Sequence, residues 1–491
     1  MPRHHTTPAH FRKTLLALAV GTVLAPHAVW AVDLVQAPPG TVQPYVTPNV
    51  IISVDDSGSM NFRLDSESAS GADNVTTPLA DGTWPVTRRR INVLKYALKS
   101  IFDPADPNYD NTLLPDNKIR LAWQVMHNNG KAKDAGNVNS TSMNTNSMRP
   151  LEGTHRTNFL DFITSLTAKN GTPSHLMFKQ ADEYMRQPLG INSVWASQPG
   201  SADTPFLGCR RNYHIMMTDG RWNGTAHSIP DKSRRDNATN IKLPDGTDYG
   251  GTTAAEQAKT ALYRDGHSGS TLADWAFYSW GTALQTSGLT GAPAPAADYS
   301  KAPTTENFGK DSNNKDAILE RFWNPRYNPA TWPHMVTYTI GFSQMATTWP
   351  GAPTIISPTA QVPFGFDGSF ADFVTGAKSW PQMDNENKRS LDLWHAALNG
   401  RGRYYAIEEG KDLEKAFRDI FTQINTQTDP DMTSTATSGS NTSRNDVGKF
   451  TGAYEPKNSW KGFVVAETVK KDGTTVPSAG WGGKNTAFKL D

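Results

Sequence analysis

A strand with no polar face, joined directly to an acidic loop, constrains this chain more than any other feature. Val50-Ile51-Ile52-Ser53-Val54 shows no alternation of apolar and polar residues, so it reads as a strand covered on both faces, the kind a parallel sheet between two helical layers requires. Asp55-Asp56-Ser57-Gly58-Ser59-Met60 follows without a spacer. Two further buried runs are read as strands at 213–217 (YHIMM) and 335–340 (MVTYTI), and the stretches 118–126 and 403–407 complete the set. Helical spacing of apolar residues occupies 88–102, 158–166, 174–185, 391–398 and 412–424. The alternation predicts an α/β fold with a doubly wound, mostly parallel sheet and right-handed crossovers, in which ligand sites lie beyond the carboxyl ends of the strands.

The D-x-S-x-S spacing places the Asp55 carboxylate and the Ser57 and Ser59 hydroxyls on one tight loop, with Gly58 permitting the turn. Hard oxygen ligands in a compact loop suit Mg²⁺ or Mn²⁺. By itself the pattern is equally that of an ordinary Ser/Asp turn. Two other segments fall where such a site needs them. Asn170-Gly171-Thr172-Pro173 lies between two predicted helices and offers the Thr172 hydroxyl, and Thr218-Asp219-Gly220 sets the Asp219 carboxylate at the end of the YHIMM strand.

Asp55, Ser57, Ser59, Thr172 and Asp219 together resemble the metal-ion-dependent adhesion site of von Willebrand factor type A domains. That resemblance implies a Rossmann-like type A fold over residues 49–425. It also implies a divalent cation, Mg²⁺ first and Mn²⁺ or Ca²⁺ as alternatives, with a coordination position open to a partner's carboxylate. Further segments are similar to one branch, the PilY family of type IV pilus biogenesis and tip adhesin proteins: Cys209-Arg210-Arg211-Asn212-Tyr213 running into MMTDGRWN, Leu272-Ala273-Asp274 before WAFYSW, NPATWPHMVTYT, DLWHAALNGRGR and Trp460-Lys461-Gly462. The family implies an exported adhesin and pilus biogenesis factor, not an enzyme. It would be found in the periplasm, at the outer membrane or on the cell surface at the pilus tip. Minor pilins, the pilus machinery and a host or abiotic surface ligand would be its partners, with surface sensing and retraction control (twitching motility) as further roles. Members usually continue into a large β-propeller-like domain with a calcium loop. Residues 448–491 resemble only its beginning, so propeller functions are not carried over.

Bulk properties narrow the alternatives. Forty-eight Lys and Arg against 47 Asp and Glu leave no basic field for a nucleic acid. His4, His5, Arg12 and Lys13 precede an apolar run at 15–24, and Val29-Trp30-Ala31 fits a cleavage site, which predicts a signal peptide over 1–31 and no transmembrane segment after its removal. A single cysteine, Cys209, excludes an intrachain disulfide. Composition places long insertions near 221–333 and 345–385 and a Ser/Thr/Asn-rich linker at 426–447; the first insertion reads as a surface segment that is partly ordered, because a helical run at 271–284 must pack somewhere. Two rival readings are weak. Gly266-His267-Ser268-Gly269-Ser270 resembles a nucleophile elbow but lacks the final glycine and a preceding buried strand, and no H-E-x-x-H is present for zinc hydrolysis.

Overall fold

The structure is a computed structural model that describes residues 46–127, 138, 142–219, 221–343, 365–385, 388–407, 409–428, 434–437, 447–455, 461–469 and 475–477. The expected signal peptide, much of the second insertion and Gly220 lie outside the described residues. Two units are distinguished by their internal contacts, 44–430 and the remainder.

In the larger unit the principal strands in chain order are β1 (Asn49–Val54), β2 (Arg120–Val125), β3 (Arg149–Pro150), β4 (Asn212–Thr218), β5 (Met335–Phe342) and β6 (Arg401–Ile407). They form one sheet in the order β6-β5-β4-β1-β2-β3. All neighbours are parallel except β3, which pairs antiparallel with β2 at the edge. This 3-2-1-4-5-6 order is that of a doubly wound sheet, whose direction of progression reverses between β1 and β4. The α/β reading of the sequence holds at this level.

The period-two geometry of a strand sends successive side chains of β1 to opposite faces. Val50, Ile52 and Val54 join a core with α1 (Arg90–Phe102), α2 (Gly153–Ser165) and α7 (Gly410–Thr428), where Leu94, Leu98, Phe159, Ile163, Phe417 and Phe421 are buried. Ile51 points the other way, toward Ala181, Tyr184 and Trp195 beneath α3 (Ser174–Met185). That second face is completed by α4 (Leu272–Gly281), the short α5 (Phe370–Thr375) and α6 (Ser390–Asn399). Both faces of β1 are thus covered, which is why its sequence carries no alternation; Ser53, Gln124 and His214 form a buried, hydrogen-bonded polar row on the second face.

Three expectations are corrected. Residues 221–333 are more than a surface insertion. Trp222, Tyr249, Tyr263, Trp275, Trp280, Trp323 and Trp332 are buried in a core shared with α6 and the underside of the sheet. Aromatic burial on this scale can hold a Gly/Thr-rich segment in place despite its loop-like composition. Second, α7 runs to Thr428 and a strand occupies Ser434–Thr437, both inside the segment read as linker. Third, the 158–166 helix begins earlier, at Gly153.

The smaller unit contains a four-stranded antiparallel sheet, β7 (Ser434–Thr437), β8 (Val447–Glu455), β9 (Lys461–Val469) and β10 (Thr475–Pro477), paired in chain order. Its central pair, β8 and β9, is antiparallel with Val447 opposite Val469 and Glu455 opposite Lys461.

Candidate functional site

The loops after β1 and β4 leave the sheet side by side, at the point where strand order reverses. Asp55, Asp56 and Ser57 are fully buried, and Asp219 is 1% exposed. The backbone N–H of Ser57 donates to Asp55 Oδ1 at 2.6 Å, which folds the loop back on its own carboxylate. Asp55 Oδ2 accepts from Thr218 Oγ1 at 2.6 Å and from the Asp219 N–H at 3.3 Å, tying the first loop to the end of β4. A short 3₁₀ turn at Gly58–Asn61 then presents the hydroxyls. Ser57 Oγ and Ser59 Oγ are 3.0 Å apart, and Ser59 donates to Asp219 Oδ1 at 2.9 Å.

The third loop is stitched to the first through its backbone. Gly58 N–H donates to the Asn170 carbonyl at 2.8 Å, and Lys169 N–H donates to the Asp56 carbonyl at 3.0 Å. A Cβ on residue 58 would come within 3.2 Å of the Asn170 oxygen, so this approach favours glycine. Asn170 takes a left-handed φ of 72°, which asparagine tolerates better than most residues. Thr172 is held by a two-way clamp with Asn223, its N–H donating to Asn223 Oδ1 at 2.7 Å and its carbonyl accepting the Asn223 N–H at 2.9 Å. Ser57, Ser59 and Asp219 are in direct side-chain contact, with Asp55 one hydrogen bond away, whereas Thr172 reaches the group through backbone contacts of its loop.

Arg90 is the residue that the sequence patterns missed. It is fully buried at the start of α1 and its Nη1 donates to Asp219 Oδ2 at 2.9 Å. Its remaining donors go to Glu67 Oε1 at 2.8 Å and to the carbonyls of Arg63 and Ser66. Burial, and next the negative charge of Asp55, push the Asp219 carboxyl up to about 8, against the opposing pull of Arg90 and Ser59. One oxygen of Asp219 is thus committed to Arg90, and the other accepts from Ser59. A carboxylate this reluctant to ionise gains from a nearby cation. The spacings of 3.0 and 2.9 Å match the octahedral edge of about 3.0 Å expected for oxygens roughly 2.1 Å from Mg²⁺. The donor set fits a hard divalent ion.

A second group of titratable side chains lies on the other face of the sheet. Asp236, Asp265 and His395 bring one ligand atom each to within 4.8 Å of one another and could hold a metal ion. Burial, with Asp265 and Asp274 next in effect, raises the Asp236 carboxyl far above its usual range, and burial pushes Asp265 up to about 6 and Asp392 up to about 7. His395 is pushed down to about 3 by burial and is neutral. No spacing rule could have joined positions 236, 265 and 395.

Apart from His395 and Asn399 at that cluster, the segment WHAALNGRGRYY serves packing. Trp394 donates to the Gly365 carbonyl, and Arg401, at a left-handed φ of 58°, stacks 4.3 Å from the Trp280 ring and donates to Tyr263 OH. A Cβ on Gly402 would overlap the Thr337 carbonyl of β5. The Gly266–Ser270 segment lies in a loop between Tyr263 and α4, and its Ser270 hydroxyl accepts from Ile229 N–H.

No protein-family profile matches the chain. It is similar to the "Type IV pilus biogenesis factor PilY1" of Pseudomonas aeruginosa strain PAO1, at 33% identity over 316 residues, which is 63% of this chain and 24% of that protein. The protein of the same name from strain UCBPP-PA14 is 29% identical over 369 residues, 74% of this chain and 28% of its own length. The chain spans about a quarter of the length of these curated relatives. Among solved structures, a "PilB minor pilin from Streptococcus sanguinis" aligns over 79% of this chain and 63% of that chain at 12% identity, with a TM-score of 0.31 that supports no conclusion. The sequence match establishes homology to PilY1 over 63% of the chain.

Proposed function

We propose that this chain is a von Willebrand factor type A module of a type IV pilus biogenesis factor and tip-associated adhesin. In this reading Asp55, Ser57, Ser59, Thr172 and Asp219 hold a divalent cation, Mg²⁺ or in its place Mn²⁺ or Ca²⁺. The observation that carries the reading is the meeting of the β1 and β4 loops beside the strand-order reversal, with Ser57, Ser59 and Asp219 at ligand-edge spacing. Homology to PilY1 supplies the pilus context.

The bound ion would supply a Lewis-acid position able to accept a carboxylate from a partner. The chain's own residues set the conditions for that. Ser57 N–H and Thr218 Oγ1 fix the orientation of Asp55, Arg90 anchors the far oxygen of Asp219, and Asn223 clamps the Thr172 loop. A binding role needs no general base. A buried Ser–His pair nearby, Ser53 and His214 at 2.7 Å, lies inside the sheet and both residues are fully buried, which keeps it from any substrate. Partners on this reading are minor pilins, pilus machinery or a surface ligand with an accessible carboxylate, met outside the cytoplasm. No described helix is long and apolar enough to cross a membrane.

Deletion of the gene, followed by complementation, tests both halves. Wild-type protein is expected to restore surface pili and attachment, whereas a Ser57→Ala/Ser59→Ala variant at equal abundance is not. Normal piliation in the deletion strain would overturn the pilus role, and full rescue by the double variant would overturn the metal-bridge reading.

A further inference from the structure

We propose that Asp236, Asp265 and His395 form a second, buried site for a divalent first-row transition ion, which fastens the 221–333 segment to α6 from the opposite face of the sheet. Three observations converge on it.

The first is geometry. His395 Nε2 lies 3.0 Å from the Tyr263 carbonyl oxygen and 3.7 Å from Asp236 Oδ2, and the Asp265 N–H lies 3.3 Å from Asp236 Oδ1. Ligand atoms about 2.1 Å from a tetrahedral centre stand roughly 3.4 Å apart; those of Asp236, Asp265 and His395 lie within 4.8 Å of one another, so a modest contraction would bring them onto one ion, with the Tyr263 carbonyl beside His395 Nε2. The mixed nitrogen and oxygen set is one that Zn²⁺ or Mn²⁺ accepts. It offers too few oxygens for the larger shell that Ca²⁺ takes.

The second is charge. Asp236 and Asp265 are buried, as are Asp274 and Asp392 close by. Arg235 pairs with Asp274 at 3.1 Å and donates to the carbonyls of His267, Ser268 and Gly269. Asp392 is satisfied by the N–H groups of Leu272 and Ala273 at the start of α4 and by Trp222 Nε1. Among the described residues, neither Lys nor Arg pairs with Asp236 or Asp265. Arg235 acts on both only from a distance, too weakly to offset their burial, and buried carboxylates without a direct ion pair must take up protons or a cation.

The third is a pair of polar atoms with nothing to bind. Asn399 is fully buried and its Nδ2 donates into the cluster, to Asp236 Oδ2 at 2.9 Å and the Tyr263 carbonyl at 3.2 Å, while its Oδ1 has no partner. Which end of an amide faces a carboxylate follows the local charge. A bare Asp236 selects the NH₂ group, and a cation selects the oxygen. His395 Nδ1 is likewise unpartnered, its ring stacked 4.3 Å from Trp380, so the proton that Nε2 now donates to the Tyr263 carbonyl can move to Nδ1 and free the Nε2 lone pair facing Asp236 for an ion.

The full chain, unfolded with EDTA and refolded with either EDTA, Zn²⁺ or Mn²⁺, provides the test, with Mg²⁺ and Ca²⁺ as controls and the Ser57→Ala/Ser59→Ala background removing the first site. Refolding with Zn²⁺ or Mn²⁺ is expected to leave one tightly held ion per chain after desalting and to raise the melting temperature by at least about 5 °C over the EDTA sample. Asp265→Asn and His395→Gln are each expected to abolish both effects. The comparison of the metal and EDTA samples in the unsubstituted cluster does not depend on those variants folding. Equal melting temperatures with no retained ion there would overturn the proposal in favour of protons alone. Undiminished retention in folded Asp265→Asn and His395→Gln would overturn the ligand assignment.

Discussion

Arg90 sits in the run Arg88-Arg89-Arg90, three adjacent cations that a pattern reading assigns to a solvated helix start. The fold separates them. Arg89 pairs with the exposed Asp73, Arg88 is buried near Glu409, and Arg90 is driven fully inward onto Asp219. A buried pair broken from one side typically costs about 3–5 kcal/mol. We therefore expect Arg90→Met to lower stability by roughly that amount in EDTA and to respond more strongly to Mg²⁺ than wild type, because the ion then becomes the remaining counter-charge for Asp219. Urea titrations with and without Mg²⁺ measure both terms, and an Mg²⁺ response no larger than that of wild type would contradict this role. His155 gives a pH-dependent counterpart. Its Nε2 donates to the Leu121 carbonyl at 2.8 Å, and burial, with Arg149 adding repulsion, pushes it down to about 4. The folded state then excludes a proton that the unfolded chain binds below about 6.5, so stability is lost as pH falls from there toward 4, by about 1.4 kcal/mol per unit in the limit. Replacing His155 with Gln should flatten the urea-derived stability profile across that window relative to wild type; parallel profiles would contradict it.

Elements were legible where burial imposes a pattern and obscure where it does not. The runs NVIISV and NYHIMMT fold as strands within a residue of their expected bounds, since a doubly covered strand can be built from little else. The carboxyl ends of those strands then located Asp55 and Asp219. The 221–333 segment gave a misleading signal, because its Gly, Thr and Asn content resembles loop while its tryptophans, spaced irregularly, supply a core that periodicity cannot show. The start of α4 was readable only in part. Thr271 and Asp274 form a capping box visible in the sequence, but the docking of its first N–H groups on Asp392 is a contact across 120 positions. Gly402 illustrates a constraint set by packing alone. Gly402→Ala would press a methyl group onto the Thr337 carbonyl and should cost on the order of 1–3 kcal/mol, as overpacking usually does. Calorimetric melting of that variant checks it, with an unchanged midpoint contradicting the close approach of β6 to β5.

For the whole molecule, the sheet order explains why residues as far apart as 55, 172 and 219 occupy one neighbourhood. Sheets of this kind place their ligand sites at the carboxyl ends where strand order reverses, here between β1 and β4, and the three loops meet there. The second cluster, on the α4 and α6 side, was beyond reach of sequence because its members come from two loops and a helix with no common motif. Its presence means that metal uptake by the chain must be assigned site by site. The most direct measurement is a calorimetric titration of Mg²⁺ and Mn²⁺ into the EDTA-dialysed His395→Gln chain, in which the buried cluster is disabled, with and without the further substitutions Ser57→Ala and Ser59→Ala. We expect one ion to bind per chain, and binding to disappear when the two serines are replaced while the circular dichroism spectrum is unchanged. Absence of binding before the serines are replaced, or undiminished binding afterwards, would contradict the assignment of the β1 and β4 loops as a cation site.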